Sequence, residues 1–400
     1  MTQPFRVVVA GHLCLDIIPR LDDFPPGQFL ERFRPGRMLY MGGADISTGG
    51  PVANTGLALN RLGIQPRLVG KLGNDLFGTA VRDLIREQGD GLADDLVVDP
   101  TASTAYTIII SAPGVDRIFL HHPGANQTFT NQDLPEGILA GADLLHFGYP
   151  PALRRMYAGG GTELAALLQR AKAAGVTTSL DMSFPDPASE AGQADWQAIC
   201  REALPSVDLF MPGAEELLFL LHRGTYDRLA ERAQGGSILP LITPALLGEL
   251  GAELLEMGVR VVGLKLGERG FYLRTATLDA LGSFGRAHPA DPQAWANHEL
   301  WAPCFQVEVA GTTGAGDTAI AGFLSAFLRG FSPEQAVSAA VAVGACNVEA
   351  PDALSGVRSW EETLARAAAG WPRKDLRLDD PLWRWDGAAA LWRGPGDWRI

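Results

Sequence analysis

Ala310-Gly311-Thr312-Thr313-Gly314-Ala315-Gly316-Asp317, followed at once by the apolar run Thr318 to Leu328, is the stretch from which the rest of the chain can be read. Small residues this dense cannot build a core, but they let the backbone turn sharply and approach a ligand closely. Ala319, Ile320, Phe323, Leu324 and Phe327 recur at helical spacing and Gly330 supplies a stop, so a helix is expected directly behind the loop. The amides of Gly314 to Asp317 then point out of a helix N-terminus, where unpaired N–H groups and the dipole favour an anion. A carboxylate would repel an anion that was merely bound. Beside a phosphate cradle, however, Asp317 can accept the proton of an attacking hydroxyl during phosphoryl transfer. The plainer reading makes Asp317 a helix cap after a glycine turn. Dinucleotide binding is disfavoured, because its glycine fingerprint wants a following strand with an acidic residue. Here a second helix follows, with Ser332 as N-cap, Pro333 as first residue and Gln335 as capping-box partner.

Bulk composition narrows the class. Of 400 residues, 46% are hydrophobic, enough for a large core. The formal charge of −13 argues against nucleic acid or an anionic membrane as partner. Cys14, Cys200, Cys304 and Cys346 are far apart and form no CxxC pair, so reduced thiols and a cytoplasmic location are expected. The run Val7 to Ile18, interrupted by His12 and Asp16, reads as a first strand and not as a signal peptide. No stretch is long and apolar enough to span a bilayer.

Arg6 to Ala10 has the β-branched density of a buried strand, ended by Gly11. Asp16 falls just beyond it. Ligands of open α/β sheets bind outside the carboxyl ends of strands, so Asp16 is a candidate for hydrogen-bonding substrate hydroxyls, against a solvated loop aspartate. Residues 20–48 are rich in proline, glycine and charge and read as an excursion from the main sheet. Thr48-Gly49-Gly50-Pro51-Val52-Ala53-Asn54 leads into a helix expected over 55–62; its glycines permit close approach and Asn54 can donate to a hydroxyl. A further glycine-rich stretch, Val69 to Gly78, has Asp75 placed as a helix cap.

On three separated motifs the chain resembles the ribokinase-like (PfkB) carbohydrate kinases, which also include adenosine kinases. Gly49-Gly50 with Asn54 resembles the family's Gly-Gly-x-x-x-Asn element. Gly70, Gly73, Asp75 and Gly78 match its first signature, and Gly314-Ala315-Gly316-Asp317 matches the second. The resemblance runs from the first strand to roughly Ser355.

The remaining segments agree with an α/β fold. Ala105 to Ser111 and Arg117 to Leu120 alternate around Pro113-Gly114 as a β-hairpin. Arg117 there can reach a substrate or lie exposed. His121 and His122, adjacent on a strand, face opposite ways, which disfavours a shared metal. From Ala142 onward strands over 144–147, 176–180, 208–211 and 259–265 alternate with helices over 163–174 and 247–257, implying a parallel sheet covered on both faces. Asp181, Glu216, Lys265 and Asp317 all fall near carboxyl ends of strands or entrances of helices, and one edge would gather them. Lys265, alternating with Leu264 and Leu266, can equally point at solvent. The tail carries Trp371, Trp383, Trp385, Trp392 and Trp398, an apolar load expected to pack back on the domain or into a partner chain.

The resemblance implies a three-layer α/β/α ribokinase-like fold over residues 1–365. It further implies a central, mostly parallel sheet and a small β lid drawn from about 20–48 and 104–120; residues 366–400, which the resemblance does not cover, read as a Trp-rich extension. It implies ATP-dependent phosphorylation of a small sugar or sugar acid. In that scheme Asp317 is the base, Gly314, Ala315 and Gly316 supply anion-binding amides, and Asp16, Gly49, Gly50 and Asn54 hold the acceptor. Lys265, Gly267, Gly270, Thr313 and Asn347 hold ATP, and Glu216 acts on Mg2+ through water. The chain departs from the family pattern at Gly213 and Ser183, where asparagine is usual, and at Gly311, where aspartate is usual. The change at Gly311 bears on a nearby monovalent-cation (K+) site. A nucleoside kinase, with Phe29 or Tyr40 stacking on a base, and a non-catalytic sugar-binding member are the alternatives. A homodimer is also expected.

Overall fold

The computed structural model describes residues 5–21, 24–114 and 118–397. Arg117 and Trp398, both singled out above, lie outside them. Val7–Gly11 illustrates how the sequence builds the layers. Its side chains alternate across the sheet, so Val7 and Val9 enter one apolar core while Val8 and Ala10 enter the other. The first core is closed by Pro51–Arg61, Ala315–Leu328 and Pro333–Asn347. The second is closed by Thr162–Ala173, Trp196–Ala203 and Pro244–Glu256. This is a three-layer α/β/α arrangement.

Among the described residues the central sheet has ten strands. From Pro66–Val69 through Val7–Gly11, Leu144–Gly148, Thr177–Asp181 and Leu209–Phe210 to Val261–Lys265 the neighbours are parallel. Phe271–Thr275, Glu299–Ala302, Leu391–Arg393 and Arg384–Asp386 then continue the sheet antiparallel. The last two come from the C-terminal segment. There Trp383 is buried against Tyr272 and Trp301, and Trp371 stacks on Phe305 with centroids 4.4 Å apart. Trp385, by contrast, stays 47% exposed.

A four-stranded sheet stands over the parallel one, in the order Ala44–Gly49, Cys14–Pro19, Tyr106–Ile110, Ile118–His122. One expectation is corrected here. The first strand does end at Gly11 (φ 128°), but the run to Ile18 does not continue it or become a loop: the chain turns out of the central sheet and Cys14–Pro19 forms a second strand in the four-stranded sheet. Asp16 therefore sits inside a strand, 6% exposed, and not on a solvated loop. No described helix is long and apolar enough to cross a membrane.

Candidate active site

Helix Ala315–Leu328 starts at Gly314, whose φ of 71° lies in the left-handed region. Asp317 therefore lies in the first turn and is 2% exposed. Its carboxylate does not cap that turn. Asn54 Nδ2 donates to Oδ2 at 2.8 Å, and the Tyr149 hydroxyl donates to Oδ1 at 2.9 Å. Burial raises the carboxyl above the ordinary aspartate range, while the Lys265 charge and these two bonds pull it down. The cap reading of Asp317 fails on this geometry, since its partners come from two other elements. The amides of Gly316 and Asp317 belong to a turn that has no intrahelical acceptors for them; the Ala315 amide makes a long bond to the Thr312 carbonyl, 3.4 Å.

Gly49 and Gly50 are explained by what they press against. A Cβ at Gly50, where φ is 87°, would lie 2.5 Å from His12 Nδ1, and one at Gly49 would collide with the Asp16 carboxylate. Helix Pro51–Arg61 thus starts earlier than the sequence pattern indicated and places Asn54 in its opening turn. Asp16 accepts from Cys14 Sγ at 3.3 Å, and burial pushes its carboxyl up to about 6. His12, 6% exposed, has no hydrogen-bond partner on either ring nitrogen. Burial, and then the neighbouring His121, lower it to about 3, so the imidazole is neutral.

At the centre, Lys265 Nζ bonds both oxygens of the fully buried Asp181, at 2.7 and 2.8 Å. Lys265 does not point at solvent. Burial works against its charge, but Asp181, Glu216 and Asp317 outweigh that and raise it. Gly316 faces this lysine: a Cβ there would be 3.5 Å from Nζ. Glu216 Oε2 accepts from the Gly213 amide at 2.6 Å, and a Cβ at 213 would stand 2.9 Å from the Glu216 carboxyl carbon. Glycine at 213 thus leaves room for the Glu216 carboxylate to fold back on the turn. Among the described residues no group of three or more His, Cys, Asp or Glu side chains could cage a metal. A single cleft-lining carboxylate with Oε1 left over fits magnesium that retains its water shell.

Asp16, Gly50, Asn54, Tyr149, Glu216, Lys265, Gly316 and Asp317 line one cleft of about 990 Å³, whereas Gly49, Asp181 and Asn347 are not among its lining. Its polar lining includes His12, Asp16, Asn54, Thr107 and Tyr149, and its apolar lining includes a slot of Phe305, Val307, Val341, Ala345 and Val348. Gly267 (φ 55°) and Gly270 (φ 102°) form the expected turn. A Cβ at Gly270 would strike the Ala302 carbonyl. Asn347 is fully buried and donates to the Thr313 carbonyl at 2.8 Å, so it braces the loop. Gly311 packs where a Cβ would lie 2.7 Å from the Pro351 carbonyl, a steric reason for glycine there.

Tyr149, His12 and Thr107 line the cleft, and sequence reasoning does not single them out. Tyr149 follows strand Leu144–Gly148 in a left-handed conformation (φ 62°) just before Pro150-Pro151. A residue at a strand end before two prolines is the available signal. Neither proposed stacking residue is in the cleft: Phe29 is buried against Phe24 and Phe33, and Tyr40 is 88% exposed. Phe119 of the lid lines it instead.

The sequence profile of the pfkB family carbohydrate kinases matches residues 5–360. An ATP-dependent ribose-1-phosphate kinase of Halopiger xanaduensis is 26% identical over 85% of this chain and 90% of its own. A nucleoside kinase of Methanothermobacter thermautotrophicus is 23% identical over 93% and 98%. In fold, the chain superposes on fructokinase with bound ATP from Xylella fastidiosa at a TM-score of 0.66, with 20% identity over 91% of this chain and 98% of that one. Arabidopsis thaliana ribokinase complexed with ribose and ATP gives 0.64, at 20% identity over 91% and 98%. The glycine-cradled aspartate, the lid and the cleft thus sit on a ribokinase-like fold, and the chain belongs to the pfkB family of carbohydrate kinases, phosphotransferases acting on sugars or nucleosides.

Proposed function

We propose that this chain transfers the γ-phosphoryl group of ATP to a hydroxyl of a small, uncharged sugar, with Asp317 as general base. The observation that carries this reading is the buried Asp317 carboxylate in the first turn of a helix that starts at a glycine loop, held by Asn54 and Tyr149. The acceptor hydroxyl approaches Asp317 and gives it its proton as its oxygen bonds the γ-phosphorus, while the bond from that phosphorus to the β,γ-bridging oxygen breaks and ADP departs. Amides of Gly314, Ala315 and Gly316 receive the charge developing on the transferred group. Asp16, Asn54 and the close wall made by Gly49 and Gly50 orient the sugar. The lid excludes water, which suppresses hydrolysis of ATP. Magnesium, when bound with ATP, neutralises its phosphates, and Glu216 would hold it through water.

Among the described residues no lysine or arginine joins His12, Asp16, Asn54, Thr107 and Tyr149 in the cleft lining apart from Lys265, which is held by Asp181, and Lys374, so an uncharged sugar fits better than a sugar acid. A nucleoside is the second reading, favoured by Phe119, whose ring at the lid can stack on a base. ADP release with Mg-ATP across sugars, sugar acids and nucleosides tests the reaction; sugar affinity without ADP release would instead mark a binding protein. Repeating it with and without K+ decides whether the loop takes a monovalent cation. Ile46 and Leu120 on the lid are 45% and 51% exposed, a face for a second copy of the chain; a monomeric mass in sedimentation would remove the homodimer. The cysteines are unpaired, in keeping with a cytoplasmic location.

A further inference from the structure

We infer that Lys374, carried by the C-terminal extension, binds the phosphate chain of the nucleotide; this rests on the kinase reading above. The family profile ends at residue 360, yet residues beyond it reach the cleft. Segment 371–374 is sewn along 304–306: the Gln306 amide donates to Pro372 O at 2.8 Å, the Lys374 amide donates to Cys304 O at 2.7 Å, and Trp371 Nε1 donates to Gln306 O at 2.8 Å. Arg373 fixes the same strip, donating to Pro303 O and to Ser338 Oγ, both at 2.7 Å. The backbone of Lys374 is therefore held at the cleft rim, and its side chain lines the cleft beside Gly267 and Glu268.

Charge pairing decides what that side chain is for. Among the described residues the cleft-lining cations are Lys265 and Lys374, against the carboxylates Asp16, Glu215, Glu216, Glu268 and Asp317. Lys265 is committed to the buried Asp181 through both carboxylate oxygens, and a buried pair of this kind does not exchange partners cheaply. Lys374 Nζ meets Glu268 at 3.0 Å, but the two side chains are 36% and 74% exposed. A solvated pair contributes little and is readily exchanged for a phosphate. The turn that bears Glu268 begins at Gly267, two residues after the lysine that faces the Gly316 amide loop. The amide loop, this turn, Lys374 and the apolar slot all line one cleft, so a nucleotide with its phosphates at the loop and its base in the slot would bring its phosphate chain to the side of the cleft that Lys374 lines.

The test is calorimetric binding of Mg-ADP and of adenosine to the full-length protein, with Lys374→Ala and Lys374→Arg alongside. The expected result is an ADP dissociation constant raised about 3- to 10-fold in Lys374→Ala, retained affinity in Lys374→Arg, an effect that shrinks with added salt, and unchanged adenosine binding. Unchanged ADP binding, or equal losses for ADP and adenosine, would overturn the assignment while leaving the kinase reading standing. Failure of the unsubstituted protein to bind ADP would overturn both.

Discussion

The Tyr149 hydroxyl donates to Asp317 Oδ1 at 2.9 Å across a sequence separation of 168 residues, and with Asn54 on Oδ2 it leaves neither carboxylate oxygen unpartnered. The phenol is itself held in its acidic form: burial and then the Asp317 charge push its pKa well above that of free tyrosine. Tyr149 is thus a fixed donor that favours ionised Asp317.

Replacing Tyr149 with phenylalanine removes that donor and leaves the ring. The Asp317 pKa rises, because a bond to the charged form has been lost. The acid limb of the kcat/KM profile is expected to move to higher pH, with a loss of about 10-fold at neutral pH. A profile superimposable on that of the parent protein would show that Tyr149 does not act on Asp317.

Asp16 carries a stability cost with a definite sign. Its folded-state pKa of about 6 exceeds the ordinary value of 3.8, so the folded state binds the proton more tightly. The stabilising contribution is present below pH 4 and is lost as pH rises through 6. Asp16→Asn is therefore expected to be more stable than the parent above pH 7, by on the order of 3 kcal/mol, with the gap closing toward pH 4. The same variant should bind sugar less well. Denaturant melts at both pH values check it; a gap that widens on acidification would contradict the assignment.

Lys265 is expected to matter first to the fold. Lys265→Met leaves Asp181 buried opposite Glu216 without its cation, and removing one partner of a buried pair costs about 3–5 kcal/mol. Paired replacement with Asp181→Asn should recover part of that loss in thermal melts. A melting temperature unchanged by Lys265→Met would show that the pair is not needed.

Much of the site is legible in the sequence because glycine reports backbone demands directly. Gly314 needs a left-handed φ, and Gly50 has His12 pressed against it, so both positions stand out in the bare order of residues. The βα rhythm likewise shows which strand ends carry Asp181 and Lys265. Tyr149 is hidden because its role depends on an unusual φ and on a partner far along the chain. Asp16 is misplaced by the pattern for a related reason: Gly11 marks the end of the first strand, but nothing local shows that the residues beyond it form a strand of a second sheet. Lys374 escapes notice because a solvated lysine beside tryptophans carries no local signal.

The central claim is that Asp317 takes the proton of the acceptor hydroxyl, and the most direct measurement is turnover of Asp317→Asn beside its ligand affinities. Asparagine keeps the shape of the site but cannot accept the proton. The account predicts that kcat falls by about 10²- to 10⁴-fold, while melting temperature and dissociation constants for Mg-ADP and sugar stay close to those of the parent. Near-normal kcat in a correctly folded variant would contradict it.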